Sequence, residues 1–344
     1  MDSDVFHAPP EASYASRFKH FAACHAGLAM SNGEAVHRGG GLKRRRIPGV
    51  DLAASVIGLG GANFTTYDQA AALCDAYFAA GGNVLDSAWI YGQGTCDRLF
   101  GAWIEARGVR GEIIVIGKGA HTPHCRPEAI APQLSESLER LRTETIDVYF
   151  MHRDDPDIPV GEFVDAVDAE IRAGRIRTYG GSNWSRERLD AASDYAANHG
   201  RVPPTALSNN FSLAEMVEPV WPGTVASSDE AWKSWLRARQ LALFAWSSQA
   251  RGFFTDRAGP DRRDDPEFVR AWYSDRNFAR RDRAIEMGRR LGRSALQVAL
   301  AYCLHQDFPV LPLIGPLALD ELRESLDAAD LELAADDVRW LEAG

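Results

Sequence analysis

Eight short apolar runs recur along this chain, most of them followed by a longer amphipathic stretch, and that alternation restricts the fold more than any other feature. The strand-like runs are Ser55–Ala62, Asn83–Ala88, Ile113–Gly119, Ile146–His152, Ile176–Asn183, Thr205–Phe211, Leu241–Ser248 and Val310–Gly315. Between them lie helical stretches such as Asp68–Ala80, Pro127–Leu141, Val160–Ala173 and Arg186–Asn198. Ile113–Val115 and Val148–Met151 are apolar without alternation, the pattern of strands covered on both faces in a parallel sheet. Eight βα units over roughly 290 residues fit one closed (β/α)8 TIM barrel, whose usual size is about 250 residues before insertions. Thr66 with Gln69, and Ser227 with Glu230, have the spacing of a capping box and predict helix starts.

Residues 1–44 lack sustained periodicity and carry Pro9, Pro10 and the glycines Gly39–Gly41. They read as a flexible extension ahead of a barrel over 45–344, with Met30 a second candidate for the true start and Lys43–Arg46 a solvated turn. Ala250–Asn277, with Gly252, Gly259 and Pro260, reads as a long loop over a site.

The formal charge of −10 disfavours a broad nucleic-acid surface, which needs clustered Lys and Arg. No apolar run reaches the length of a membrane span. The mildly apolar His20–Met30 is broken by His25 and preceded by Asp2, Asp4 and Glu11, a poor secretion signal. Five scattered cysteines without a CxxC pair suit a reducing compartment, so a cytoplasmic protein is expected. Nothing in the sequence specifies an oligomeric state.

Reactive residues of such a barrel sit at the carboxyl ends of its strands. Asp86, Lys118 and His152 end the second, third and fourth runs, 32 and 34 positions apart, and Tyr91 follows Asp86 by five. Singly, the Asp is a turn residue, the Tyr a loop aromatic and the His a core histidine; the lysine is harder to dismiss, because buried lysines are almost always paired. Their common phase on consecutive units makes them converge.

The run Asp86-Ser87-Ala88-Trp89-Ile90-Tyr91-Gly92, Lys118, His152 and Gly181-Ser182-Asn183-Trp184 together resemble the aldo/keto reductase superfamily. Val56-Ile57-Gly58-Leu59-Gly60 and Ala245-Trp246-Ser247 fit it too, over about residues 47–344. The resemblance implies an NAD(P)H-dependent oxidoreductase that reduces an aldehyde or ketone, with Tyr91 as proton donor. Free tyrosine titrates near pH 10, so the Lys118 ammonium, aimed by Asp86, is expected to lower the Tyr91 pKa. His152 would hydrogen-bond and polarise the carbonyl oxygen.

By the same resemblance, Ser182 and Asn183 meet the nicotinamide carboxamide, Trp246 stacks on its ring and Ser247 lies at the pyrophosphate. Gly315 and Glu324 fall on the adenine side. Ser208 stands where many members carry glutamine. After the eighth run, Leu317 and Glu321 replace the basic residues that grip a 2′-phosphate, which leaves NADPH and NADH both open; Arg323 is the nearby cation. Phe64, Trp89, Arg153, Trp184 and Phe254 are the expected substrate pocket, suited to a sugar or small polar aldehyde.

Other readings fit less. Gly58-Leu59-Gly60-Gly61-Ala62-Asn63 begins like a Rossmann fingerprint but has Asn63 for its third glycine. His121, His124 and Cys125, or Asp154, Asp155 and Asp157, suggest metal sites short of a third ligand or lying on a proline turn, so no metal is expected. A cofactor-bound sensor barrel, as in potassium-channel beta subunits, is the alternative from a different functional class.

Overall fold

The computed structural model describes residues 41–343. The predicted extension lies outside them through residue 40. Strands β1 (Arg44–Arg45) and β2 (Ala54–Ser55) pair antiparallel, Arg44 opposite Ser55. Eight further strands close a parallel barrel: β3 (Gly58–Gly60), β4 (Val84–Asp86), β5 (Ile114–Gly119), β6 (Ile146–Met151), β7 (Ile176–Ser182), β8 (Ala206–Ser208), β9 (Ala242–Ala245) and β10 (Val310–Ile314). Closure is made by β10 on β3, Leu313 opposite Gly58 and Ile314 opposite Leu59. The expected (β/α)8 barrel is therefore the fold, and each of its strands falls inside an expected run.

Every second residue of a strand faces the same side, and in a small barrel the inward row is filled with side chains. Here one buried cluster joins Val84, Ile114, Ile116, Val148, Phe150, Ala206, Ala242, Phe244, Leu311 and Leu313. Phe150 and Phe244 meet edge to face across it, their ring centroids 5.5 Å apart. The same period carried to the strand ends gives Asp86, Lys118, His152, Ser182, Ser208, Trp246 and Gly315. The site residues are thus the last members of the rows that fill the barrel.

The opposite end is closed by the hairpin. Ile47, Val50 and Ala54 join the interior cluster. Asn83, one residue before β4, fastens it: its Oδ1 accepts from Ser55 N–H at 2.7 Å and its Nδ2 donates to the Ala53 carbonyl at 3.0 Å. Gly49 takes φ +84, with a Cβ there only 3.0 Å from the Thr178 Cβ, so the turn needs glycine. Outside the barrel, helices bury one face against the sheet; Ile130–Leu141 presents Ile130, Leu134, Leu138 and Leu141.

Three local expectations change. The basic run is not merely a turn, since Arg44 and Arg45 form β1, and the Ser55–Ala62 run is divided between hairpin and barrel. Helix Glu230–Arg239 is capped by Asp229, which accepts from Trp232 N–H at 2.7 Å, and not by Ser227. Ala250–Asn277 is less open than expected: it contains helix Pro266–Trp272 and the start of helix Asp275–Leu291. Thr66 does cap helix Tyr67–Ala79, accepting from Gln69 N–H.

Candidate active site

The ends of β4, β5 and β6 bring three ionisable side chains into one buried group. Lys118 Nζ donates to Asp86 Oδ1 at 2.5 Å and to the Tyr91 hydroxyl at 3.2 Å. Lys118 is 3% exposed and Asp86 4%, so the pair is held out of water. Tyr91 is delivered by a tight turn: its N–H donates to Ala88 O, Trp89 N–H donates to Lys118 O, and Gly92 and Gln93 both take positive φ. Behind this turn Ser87 and Ser137 donate to the buried Asp97 carboxylate. His152 meets the Tyr91 ring edge-on at 5.6 Å between centroids. The backbone continues the strand pairing here, with His152 N–H on Gly119 O at 2.6 Å.

Electrostatics assign different states to these groups. Burial raises the Asp86 carboxyl, and Lys118 opposes that shift. Burial acts against the Lys118 ammonium, yet Asp86 and Tyr91 push its pKa above the ordinary lysine value. At 2.5 Å the two form an ion pair at neutral pH. The expected lowering of Tyr91 is not the net result: burial raises its phenol above 10, more than Lys118 brings it down. Tyr91 therefore keeps its proton through the neutral range. Burial first, then Lys118, His121 and Arg153, hold His152 well below the usual histidine value, so its ring is neutral. A neutral imidazole can donate a hydrogen bond to a carbonyl oxygen but does not compete as an acid. The reductive pH profile should accordingly stay flat between about pH 6 and 9 and fall above 10 as Tyr91 ionises. An inflection near pH 6.5 in kcat/KM would assign the proton to histidine instead.

The sequence model of the Aldo/keto reductase family matches residues 56–343. The chain belongs to the aldo/keto reductase family. An aldo-keto reductase of Emericella nidulans is 26% identical over 301 residues, 80% of this chain and 72% of that one. The aryl-alcohol dehydrogenase [NADP(+)] of Phanerodontia chrysosporium is 26% identical over 340 residues, 88% and 85% of the two chains. Among solved structures, an aldo/keto reductase from Klebsiella pneumoniae in complex with NADP and acetate superposes with a TM-score of 0.66 at 24% identity, covering 88% of this chain and 94% of that one. That likeness speaks for the fold alone. Family membership makes this aldo/keto reductase an NAD(P)H-dependent oxidoreductase of carbonyl compounds. A sensor role finds no support among these relatives, which are named as reductases and a dehydrogenase.

In this reductase the ends of β7–β10 carry the residues expected at the cofactor. Ser208 Oγ is fully buried without a hydrogen-bond partner, and Trp246 is half-buried with its Nε1 likewise unpartnered. A half-buried indole and an unused hydroxyl at the ends of neighbouring strands fit a planar amide-bearing ring. Ser182 Oγ donates to Ser208 O at 2.9 Å. Asn183 is more committed than expected: Nδ2 lies 3.4 Å from His152 O and 3.1 Å from Ser182 Oγ, and Oδ1 accepts from Val225 N–H at 3.2 Å. Ser247 takes φ +49 just beyond β9, and Gly315 is exposed, a Cβ there meeting only Asn63 Nδ2 at 3.7 Å. Glu324 is half-buried on helix Leu319–Asp327.

The expected pocket divides. Phe64 packs edge-on against Phe100, Phe254 against Phe253, and Trp184 against Phe163, all in the core; Trp184 is fully covered and offers a substrate no face, while Phe64 and Phe254 keep only a small exposed edge. Trp89 is partly exposed, its Nε1 donating to Glu136 at 2.9 Å, and Arg153 lies directly after His152. One neighbour was read only as a weak metal candidate and one escaped the sequence reading. His121, three residues after Lys118, meets His152 edge-on at 4.8 Å. Trp221, in the loop after β8, lies 5.9 Å from Trp246 with nothing in the local pattern to announce it. Among the described residues no group of three or more His, Cys, Asp or Glu side chains is arranged to hold a metal. Asp154 is spent on Arg188 at 2.9 Å.

Proposed function

We propose that Tyr91 protonates the carbonyl oxygen of a small aldehyde or ketone, with Lys118 and Asp86 setting its electrostatics and His152 holding that oxygen. The observation that carries this reading is the single buried chain from Asp86 through Lys118 to the Tyr91 hydroxyl, with a neutral histidine against the same ring. Reduced nicotinamide supplies the hydride when bound. The Tyr91 hydroxyl places its proton where negative charge develops, and Lys118 stabilises the phenolate left behind. Ser182, Asn183, Ser208 and Trp246 orient the cofactor ring, and Ser247, Gly315 and Glu324 lie along the rest of the nucleotide. Titrating NADPH or NADH into the protein should quench tryptophan fluorescence through Trp246. Binding of neither would defeat the assignment of this end of the barrel.

For the cofactor we infer that NADH binds at least as well as NADPH. Glu321 accepts from Leu317 N–H at 2.7 Å, and a carboxylate in the run where many family members carry a basic residue for the 2′-phosphate supports this reading. Arg323 is tied to Asp320 at 2.9 Å. Glu321→Lys should move the ratio of the two dissociation constants toward NADPH by about tenfold, read from the same fluorescence titration. An unchanged ratio would remove Glu321 from the choice.

As substrate we propose a small aromatic or aliphatic aldehyde rather than a sugar. Three of the rings that would stack on a sugar lie in the core, and one relative carries the name of an aryl-alcohol dehydrogenase. A cytoplasmic setting is supported by the four free, buried cysteines among the described residues. No helix there is long and apolar enough to cross a membrane.

A further inference from the structure

Among the described residues four Lys and Arg side chains are buried: Lys118, Arg153, Lys233 and Arg280. Three have a carboxylate within ion-pair distance. Lys118 has Asp86 at 2.5 Å, Lys233 has Glu342 at 2.5 Å, and Arg280 has Glu215 at 3.0 Å. Arg153 has none. It is 8% exposed, and its side chain makes one hydrogen bond, from Nη1 to the His152 carbonyl at 3.3 Å. A guanidinium has five N–H donors in a planar fork, so most of this one is unspent. Buried cations without a partner are costly, and proteins rarely keep them.

The adjacent arginine shows that the local fold could have neutralised the charge. Arg188 is bound to Asp154 at 2.9 Å and to the carbonyls of Asp155 and Ile158 at 3.1 and 2.8 Å. Its guanidinium also covers the Trp184 ring at 5.5 Å. The acidic residue following Arg153 is thus taken, and no carboxylate is among the groups that act on the Arg153 charge; Tyr91 and Cys125 are. Its backbone is fixed from below, because Trp184 Nε1 donates to the Arg153 carbonyl at 3.1 Å. Buried Trp184, which has no exposed face for a substrate, is here a support for the arginine. The Arg153 charge also bears on His121 and His152. The His152 carbonyl that takes its Nη1 is the one approached by Asn183 Nδ2, so the guanidinium and an expected carboxamide ligand share one backbone carbonyl beside the catalytic histidine.

We propose that Arg153 is a specificity residue that receives a carboxylate of the substrate, making this protein a reductase of aldehydes bearing an acid group a short spacer away from the carbonyl. The proposal rests on the reductase reading above. A bidentate carboxylate would satisfy two of the free N–H groups and neutralise the one buried Lys or Arg among the described residues that lacks a carboxylate. The cost of burying the charge would then be met when substrate binds. A neutral aldehyde of the same shape leaves the cation unpaired, which is the basis of discrimination.

Two measurements test this. Wild-type protein should turn over 4-carboxybenzaldehyde with a kcat/KM at least about tenfold above that of methyl 4-formylbenzoate. In Arg153→Met that acid-over-ester ratio should collapse toward one, whatever the absolute rates, and Arg153→Lys should retain part of it. In calorimetry, with and without oxidised cofactor, benzoate should bind at least about tenfold tighter than benzamide to wild type but not to Arg153→Met. Equal binding of benzoate and benzamide, or a benzoate preference that survives Arg153→Met, would overturn the subsite. Failure to oxidise reduced cofactor with either aldehyde would count against the reductase reading alone, because the calorimetric comparison does not depend on turnover. A variant that has lost its fold is recognised by its melting curve, and Arg153→Lys then carries the comparison.

Discussion

Tyr91→Phe is expected to lower kcat for carbonyl reduction by about 100- to 10,000-fold, the range for losing a positioned general acid. The ring is retained, so its edge contact with His152 at 5.6 Å and the packing of the Ala88–Tyr91 turn should persist. Cofactor affinity, read by tryptophan quenching, should change little, because no expected nucleotide contact lies on the turn. The loss should fall in kcat rather than KM, since the proton matters only as charge develops on oxygen. Undiminished turnover with normal cofactor binding would refute the assignment. His152 would not serve as a ready substitute, as its ring is held neutral.

The second large effect is on stability. Lys118→Met leaves the Asp86 carboxylate buried without its partner, a change that typically costs about 3–5 kcal/mol and on the order of 10 °C in melting temperature. The sign with pH follows from the raised carboxyl of Asp86, which removal of Lys118 raises further. An acid with a folded-state pKa above its unfolded value binds more protons when folded, so stability falls as pH rises through that window. The variant should therefore recover part of its deficit between pH 8 and pH 5, measured by thermal melts. Lys118→Met combined with Asp86→Leu should regain much of the melting temperature at pH 8, since apolar replacement of a buried pair is often neutral. It should not regain turnover. A single variant as stable as wild type at pH 8 would show that the pair is not an uncompensated liability when broken.

The barrel was legible because parallel strands covered on both faces leave continuous apolar runs, as in Ile113–Val115 and Val148–Met151. Asp86, Lys118 and His152 were legible because strand phase is rigid, and each is the inward residue one step beyond the filled interior. The helix Asp275–Leu291 was hidden in part because its buried face includes Asn277 and Arg280, polar groups satisfied across the fold by Glu215 and Leu213 O. Such partners are tens of residues away, and no local period reveals them. β1 was hidden because two arginines carry no apolar pattern. The pocket aromatics are hard to place for the opposite reason: an aromatic residue near a strand end looks the same in sequence whether its ring faces the mouth or the helices. Arg153 was placed by its neighbour His152, but that it lacks a carboxylate could be seen only in three dimensions.

The hairpin that stoppers the barrel separates two kinds of evolutionary risk. Ile47, Val50 and Ala54 fill one end of the interior, while the groups proposed to react occupy the other. Trimming a methyl group at Val50 should be felt as a lower melting temperature and hardly at all in the chemistry. Exchanges around Trp89, His121 or Arg153 touch the mouth with the stoppered end left as it was. A lineage could thus retune what enters the mouth while drawing on stability held in reserve at the far end.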